Sequence, residues 1–338
     1  MSSNAGEAVV GHGAAGDDSI DPDIRRFVAR VTADYARLTG GRDLPVDEMR
    51  AVAEQVREPW RQGGPDMATV IERVADTEAG PVRLRIYDPG VAKPAPALVY
   101  MHGGGWVLFS LDTHDRVMRE YAARAGVVVI GVDYALSPEA RYPVALNQVV
   151  AVVRWLQTRG AKLGVDAQRL VLGGDSAGGN LSICAALALR DAGEPQYVRG
   201  LLLIYPAFDR HCSAESIRRF GGPGAVLTAE EVDYFWDHYT GGVDVTNDPH
   251  AMPMRASLEG LPPVCMTIPA CDVLTEQSHQ MADRLRAAGV EVAMTVYPGA
   301  THSFIEAVSI APVADRAIED GARWVRRTLG AAGPAAQP

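Results

Sequence analysis

The chain has 338 residues, 47% of them hydrophobic and 22% charged. These values allow a well-buried core and fit one large domain with an appended segment, or two ordinary domains. The formal net charge of -10 repels phosphate backbones, and no run of lysine or arginine makes a local exception, so nucleic acid is not an expected partner.

Residues 1 to about 18 are small, Gly-rich and acidic and are expected to be disordered. They lack the positive n-region and apolar h-region of a secretory signal. No stretch of the chain approaches the roughly 18 apolar residues of a membrane span. The expected address is the cytoplasm, with no membrane partner. From Ile24 the pattern turns helical. Ile24, Phe27, Val28, Val31, Tyr35 and Leu38 recur at three- and four-residue steps, and a second helix is predicted from Val46 to about Trp60. Residues 19–65 are therefore an N-terminal helical segment. The period then changes to two: Val82, Leu84 and Ile86 alternate with Arg83 and Arg85, which predicts two short strands around a Gly-Pro turn.

From Ala97 onward, apolar strands alternate with helical stretches. The predicted strands cover 97–102, 127–133, 169–174, 200–206, 263–270 and 290–298. Continuous apolar strands separated by helices imply an α/β fold: a mostly parallel, doubly wound sheet with helices on both faces, spanning 66–330. Sites in such sheets form at the carboxyl ends of the strands. Residues 208 to about 260 interrupt the alternation. They are aromatic-rich and partly helical (TAEEVDYFWDHY), and read as a helical cap insertion joined by the N-terminal helices; surface decoration is the alternative. The tail, 331–338, is expected to fray. The four cysteines, Cys184, Cys212, Cys265 and Cys271, sit among apolar residues without a metal-binding spacing and are expected to be buried reduced thiols.

Three motifs carry chemistry. Gly174-Asp175-Ser176-Ala177-Gly178-Gly179 contains G-x-S-x-G between a predicted strand and a predicted helix, the context a nucleophile elbow requires. The tight turn demands small neighbours for Ser176, and the helix start behind it offers free N–H groups to an anion. A helix-capping serine is the competing reading. His102-Gly103-Gly104-Gly105-Trp106 follows a strand directly. Its glycines let the main chain approach a ligand, and the N–H groups of Gly103 and Gly104, with that of Ala177, are the expected oxyanion hole. His102 is expected to pin this loop rather than act as a base. Asp272 ends a strand, and His302 follows the last one, so both lie on the same sheet edge as Ser176. The order Ser, Asp, His is that of α/β-hydrolases. Asp272 as a plain helix N-cap remains open, Glu276 is the second candidate acid, and His279 falls in a helical run.

Together these motifs resemble the hormone-sensitive-lipase-like family of esterases. The block Asp133-Tyr134-Ala135-Leu136-Ser137-Pro138-Glu139-Ala140-Arg141-Tyr142-Pro143 is similar to a segment that packs beside that family's active site, and LDTHDRVMR (111–119) looks closer still to the bacterial acetyl esterases. The resemblance implies an α/β-hydrolase fold with a cap, the triad Ser176, Asp272 and His302, no metal or organic cofactor, and a small-molecule ester with a short acetyl- to butyryl-like acyl group. It implies loop-supporting roles for His102, Asp175 and Glu139, and leaves a homodimer open. Where the family often has D-P-L and H-G-F, this chain has Asp272-Val273-Leu274 and His302-Ser303-Phe304. Trp106, Phe208, Phe235 and Trp236 are candidates for the substrate pocket, with a cap-core role as the alternative. Asp209, Arg210 and His211 are candidates for polar substrate contact. The same triad would serve an amidase or deacetylase of a small N-acyl metabolite. A catalytically dead ligand receptor is a further reading, against which the complete triad argues.

Overall fold

The computed structural model describes residues 20–331. The disorder expected over 1–18 and, apart from Ala331, the fraying expected over 331–338 lie outside the described residues.

Helix α1 (Pro22–Thr39) starts where the Asp21 carboxylate accepts the N–H groups of Asp23 (2.9 Å) and Ile24 (3.3 Å), and ends at left-handed Gly40. Helix α2 (Val46–Arg61) packs against it through an edge-to-face Phe27–Trp60 pair at 4.7 Å. Strands β1 (Thr69–Thr77) and β2 (Gly80–Asp88) form an antiparallel hairpin. Its turn is Glu78-Ala79, two residues ahead of the expected Gly-Pro. Thr77 and Gly80 close it as a pair, with Thr77 Oγ1 accepting the Ala79 N–H and donating to the Gly80 carbonyl.

Six parallel strands follow: β3 (Ala95–Met101), β4 (Val128–Asp133), β5 (Val165–Asp175), β6 (Gly200–Ile204), β7 (Val264–Cys271) and β8 (Val292–Thr301). The sheet order is β1-β2-β4-β3-β5-β6-β7-β8. Helices α3 (Asp115–Ala125), α4 (Val144–Arg159), α5 (Ala177–Asp191), α6 (Ala214–Phe220), α7 (Ala229–Thr240), α8 (Thr275–Ala287) and α9 (Pro312–Leu329) complete the chain. Both sheet faces are covered. Val99, Ile130, Leu172 and Leu203 point into the core beneath α4, α5 and α8, while their neighbours Leu98, Val129, Val171 and Leu202 point into the core shared with α1, α2, α3 and α9. The strand order reverses at β3, with β4 on one side and β5 on the other. The loops leaving β3 and β5 therefore meet at a topological switch point, where open α/β sheets form their crevices.

Between β6 and β7 the chain carries α6 and α7. A capping box at Thr228 and Glu231 opens α7. Arg210 ties α7 to the loop after β6 through Asp233 and Asp237, and the Tyr142 N–H donates to the Tyr239 carbonyl at its far end. Cys184, Cys212 and Cys265 are free thiols. Cys184, Cys212 and Cys265 are buried, but Cys271, at the carboxyl end of β7, is only half-buried. No helix among the described residues is long and apolar enough to cross a membrane.

Candidate active site

Ser176 occupies the turn between β5 and α5 at φ 52°, ψ -117°, a conformation that costs a non-glycine residue on the order of 1–3 kcal/mol. The turn is enforced by main-chain crowding. A Cβ on Gly178 would stand 2.0 Å from the Met101 carbonyl oxygen and 2.8 Å from that of His102. In an ordinary helix, alanine at such a position gains about 1 kcal/mol over glycine. Here the clash is with backbone of a central strand, which cannot rotate away. Gly178→Ala is accordingly expected to destabilise the fold by about 3 kcal/mol, read as a lower urea midpoint; an unchanged or higher midpoint would refute the steric account.

The Ser176 hydroxyl lies 3.0 Å from His302 Nε2, and His302 Nδ1 lies 2.8 Å from Asp272 Oδ2. A carboxylate can only accept, so Nδ1 carries a proton, and neutral His302 is left with an accepting Nε2 aimed at the hydroxyl. Burial opposes a charge on His302. The charge and hydrogen bond of Asp272 outweigh it, helped by Asp175 and Glu306, and hold the imidazole above its ordinary range. Asp272 is 2% exposed and also accepts the Leu274 N–H. The other candidates are engaged elsewhere: Glu276 accepts from Ser213 and Ser216, and His279 is exposed on α8.

The glycine loop differs from expectation at one residue. The Gly103 N–H donates to Asp175 Oδ1 at 3.1 Å, so Gly103 is not available to an oxyanion. Gly104 and Gly105 line the cavity with Ser176, Ala177 and His302, and their amides find no acceptor among the described residues. Gly105 packs against the Phe235 ring, so closely that a Cβ would meet that ring at 2.2 Å. Ala177 adds the first amide of α5, which no helical carbonyl can satisfy.

Behind the loop is a polar cluster. His102 Nδ1 approaches the Gly103 carbonyl at 2.7 Å, and its ring stacks on Tyr134 at 4.5 Å. Burial, then the neighbouring His114, push its pKa down to about 4, which keeps the ring neutral beside the loop. Asp175 accepts from Tyr100 (2.8 Å) as well as from Gly103, and faces His114 at 3.3 Å. Glu139 acts at one remove. It binds Arg50, whose Nε and Nη2 donate to the carbonyls of Val107 and Ser137 and clamp the loop to α2. Gly105, Tyr100, His114 and Arg50 were not singled out from the sequence. Their signal is a return of the chain across 50 or more positions, which no local spacing records.

The cavity above Ser176 measures about 860 Å³, within the usual range for small-molecule sites. Trp106, Phe235 and Trp236 line it, with Trp106 stacked on Tyr239 at 4.3 Å. Phe208 does not. It is fully buried in the core beneath α4, α5 and α8, its N–H held by Gln277 Oε1. Asp209, Arg210 and His211 are also outside the cavity: Asp209 pairs with Arg255, and Arg210 with α7. Among the described residues no cluster of three or more His, Cys, Asp or Glu side chains is placed to hold a metal ion.

A family model described as an alpha/beta hydrolase fold matches residues 98–306. An ethyl acetate hydrolase of Pseudomonas putida is 34% identical over 312 residues, covering 89% of this chain and 96% of its own. An acetyl esterase of Salmonella paratyphi B is 34% identical over 271 residues, 78% of this chain and 82% of its own. The solved structure of a hyperthermophilic esterase from the archaeon Pyrobaculum calidifontis superposes with a TM-score of 0.85 at 32% identity, covering 91% of this chain and 98% of that one.

Proposed function

The chain belongs to the α/β-hydrolase-fold esterases and is a carboxylic ester hydrolase, and on that premise we propose that it cleaves short-chain acyl esters through an acyl-enzyme on Ser176. The observation that carries this reading is the Ser176–His302–Asp272 relay standing beside free main-chain amides at the wall of one cavity. His302 Nε2 takes the hydroxyl proton as Ser176 Oγ attacks the ester carbonyl. The resulting oxyanion is received by the N–H groups of Gly104, Gly105 and Ala177, each such donor typically contributing about 3–4 kcal/mol of barrier lowering. Collapse expels the alcohol, which takes its proton from His302 Nε2. Water then gives a proton to the same nitrogen, attacks the acyl carbon, and the second collapse frees the acid and restores Ser176. Asp272 holds the ring in its working tautomer throughout.

The short-acyl preference is supported by the relatives named for ethyl acetate and acetyl esters, and by the Phe235 ring pressed against Gly105. Hydrolysis of p-nitrophenyl acetate, butyrate and octanoate tests it. The expected kcat/KM is highest on acetate or butyrate and about tenfold or more lower on octanoate. Equal or faster cleavage of octanoate would overturn the chain-length assignment, and inertness towards all three would overturn the short-acyl ester reading.

A further inference from the structure

Behind the Ser176–His302–Asp272 relay lies a further buried carboxylate, Asp175. Asp175 directly precedes the nucleophile and is 2% exposed. Its carboxylate lies behind amides that must stabilise a second negative charge in the transition state. Two of its partners, the Tyr100 hydroxyl and the Gly103 N–H, are neutral donors. The third, His114, is 1% exposed and decides the net charge of the cluster.

His114 has a hydrogen-bond contact at each ring nitrogen. Thr113 Oγ1 has one proton to donate. It lies 2.8 Å from the Ser110 carbonyl oxygen, accepts the Ser110 N–H at 3.1 Å, and lies 2.9 Å from His114 Nδ1. A carbonyl oxygen only accepts, so the hydroxyl proton goes there, and the remaining contact needs a proton on Nδ1. On the other side, Nε2 faces Asp175 Oδ2 at 3.3 Å, where the acceptor is again the oxygen. Both ring nitrogens are therefore donors, which only the imidazolium provides. A neutral ring would strip the proton from one of these contacts.

We propose that His114 is a buried imidazolium that neutralises and orients Asp175, and through the Asp175–Gly103 hydrogen bond positions the amides of Gly104 and Gly105 for the ester hydrolysis assigned to Ser176. It is a positioning residue, and its kinetic role rests on the esterase reading. The surrounding groups agree with the charge. Burial opposes it, but the charge and hydrogen bond of Asp175 prevail, with Glu306 favouring and Arg57 opposing, and hold His114 above its ordinary range. Arg57 and Glu306 are themselves ion-paired, at 2.5 Å, so together they add little net charge. His102, with its ring 5.6 Å away, stays neutral beside the cation. In turn, His114 helps to hold Asp175 below the usual carboxylate range against burial.

Neutron diffraction from the perdeuterated wild-type protein at about pD 8 reads the charge without any variant. Deuterium on both Nδ1 and Nε2 of His114 is expected; deuterium on only one nitrogen would overturn the proposal. His114→Gln tests the positioning. An ester is neutral in its ground state and anionic in the transition state, so kcat on p-nitrophenyl acetate should fall about 10-fold to 100-fold with KM within about twofold. Unchanged kcat in a folded His114→Gln protein would remove the positioning role. If the variant does not fold, the neutron positions still decide the charge. A wild-type protein inert on all esters would sink the esterase reading without touching the neutron result.

Discussion

Ser176→Ala is expected to lower kcat/KM on p-nitrophenyl acetate by on the order of 10⁵- to 10⁶-fold while leaving the fold intact. The hydroxyl is both the atom that forms the acyl bond and the partner of His302 Nε2. Alanine removes it without adding volume. The strained backbone at φ 52° persists, because Gly174 and Gly178 are pressed against the Met101 carbonyl whichever side chain stands at 176. The unfolding free energy should therefore change by less than about 1 kcal/mol. Wild-type protein should be labelled once, at Ser176, by a fluorophosphonate probe, and the variant not at all. Hydrolysis that persists in the variant at a hundredth of the wild-type rate or more would place the nucleophile elsewhere.

Asp272→Asn is expected to lower kcat by about 10⁴-fold. An asparagine amide can donate to Nδ1 and so favours the tautomer with its proton on Nε2, which cannot accept from Ser176. The pH profile gives an independent reading. In the wild type His302 is held above its ordinary value of 6.5, and only its neutral form is a base. Activity is thus lost as pH falls, and the acid limb of kcat/KM should lie above pH 6.5. Removing the Asp272 charge leaves burial as the largest influence on the ring, so the limb of the residual activity should move to lower pH. The stability linkage has the opposite direction. A raised His302 pKa stabilises the native state fully below about 6.5, the unfolded value, and that contribution fades as pH rises through the folded value. Loss of activity in acid is therefore expected without loss of the Asp272–His302 pair. A limb at the same pH in wild type and variant would separate Asp272 from His302 titration.

The two runner-up residues show what ordering along the chain can and cannot do. Glu276 and His279 satisfy the order Ser, acid, His as well as Asp272 and His302 do. They lie in or at the start of α8, one turn or more past the sheet edge, where Glu276 is taken by two serines of the loop and helix before α7. Proximity to the carboxyl end of a strand is what separates the candidates. It is legible because a strand's apolar run ends visibly in the sequence.

The sequence by itself determined the features whose causes lie within a few residues. Alternating and continuous apolar runs gave the six parallel strands. Small residues around Ser176 gave the elbow, since the turn's steric demand falls on its immediate neighbours. The tertiary structure decided what depends on distant atoms. Which glycine amides face the nucleophile could not be read from three consecutive glycines, because glycine leaves φ free; Asp175, 72 positions away from Gly103, makes the choice by taking that N–H. Phe208 and Phe235 are alike as residues. One is sealed in the core beneath Gln277, and the other closes the cavity over Gly105, because the helices that carry or face them pack differently. The charge of His114 likewise arises only where Thr113 and Asp175 converge on one ring, and the relative pKa values of His102, His114 and His302 follow from which of them meets a buried carboxylate.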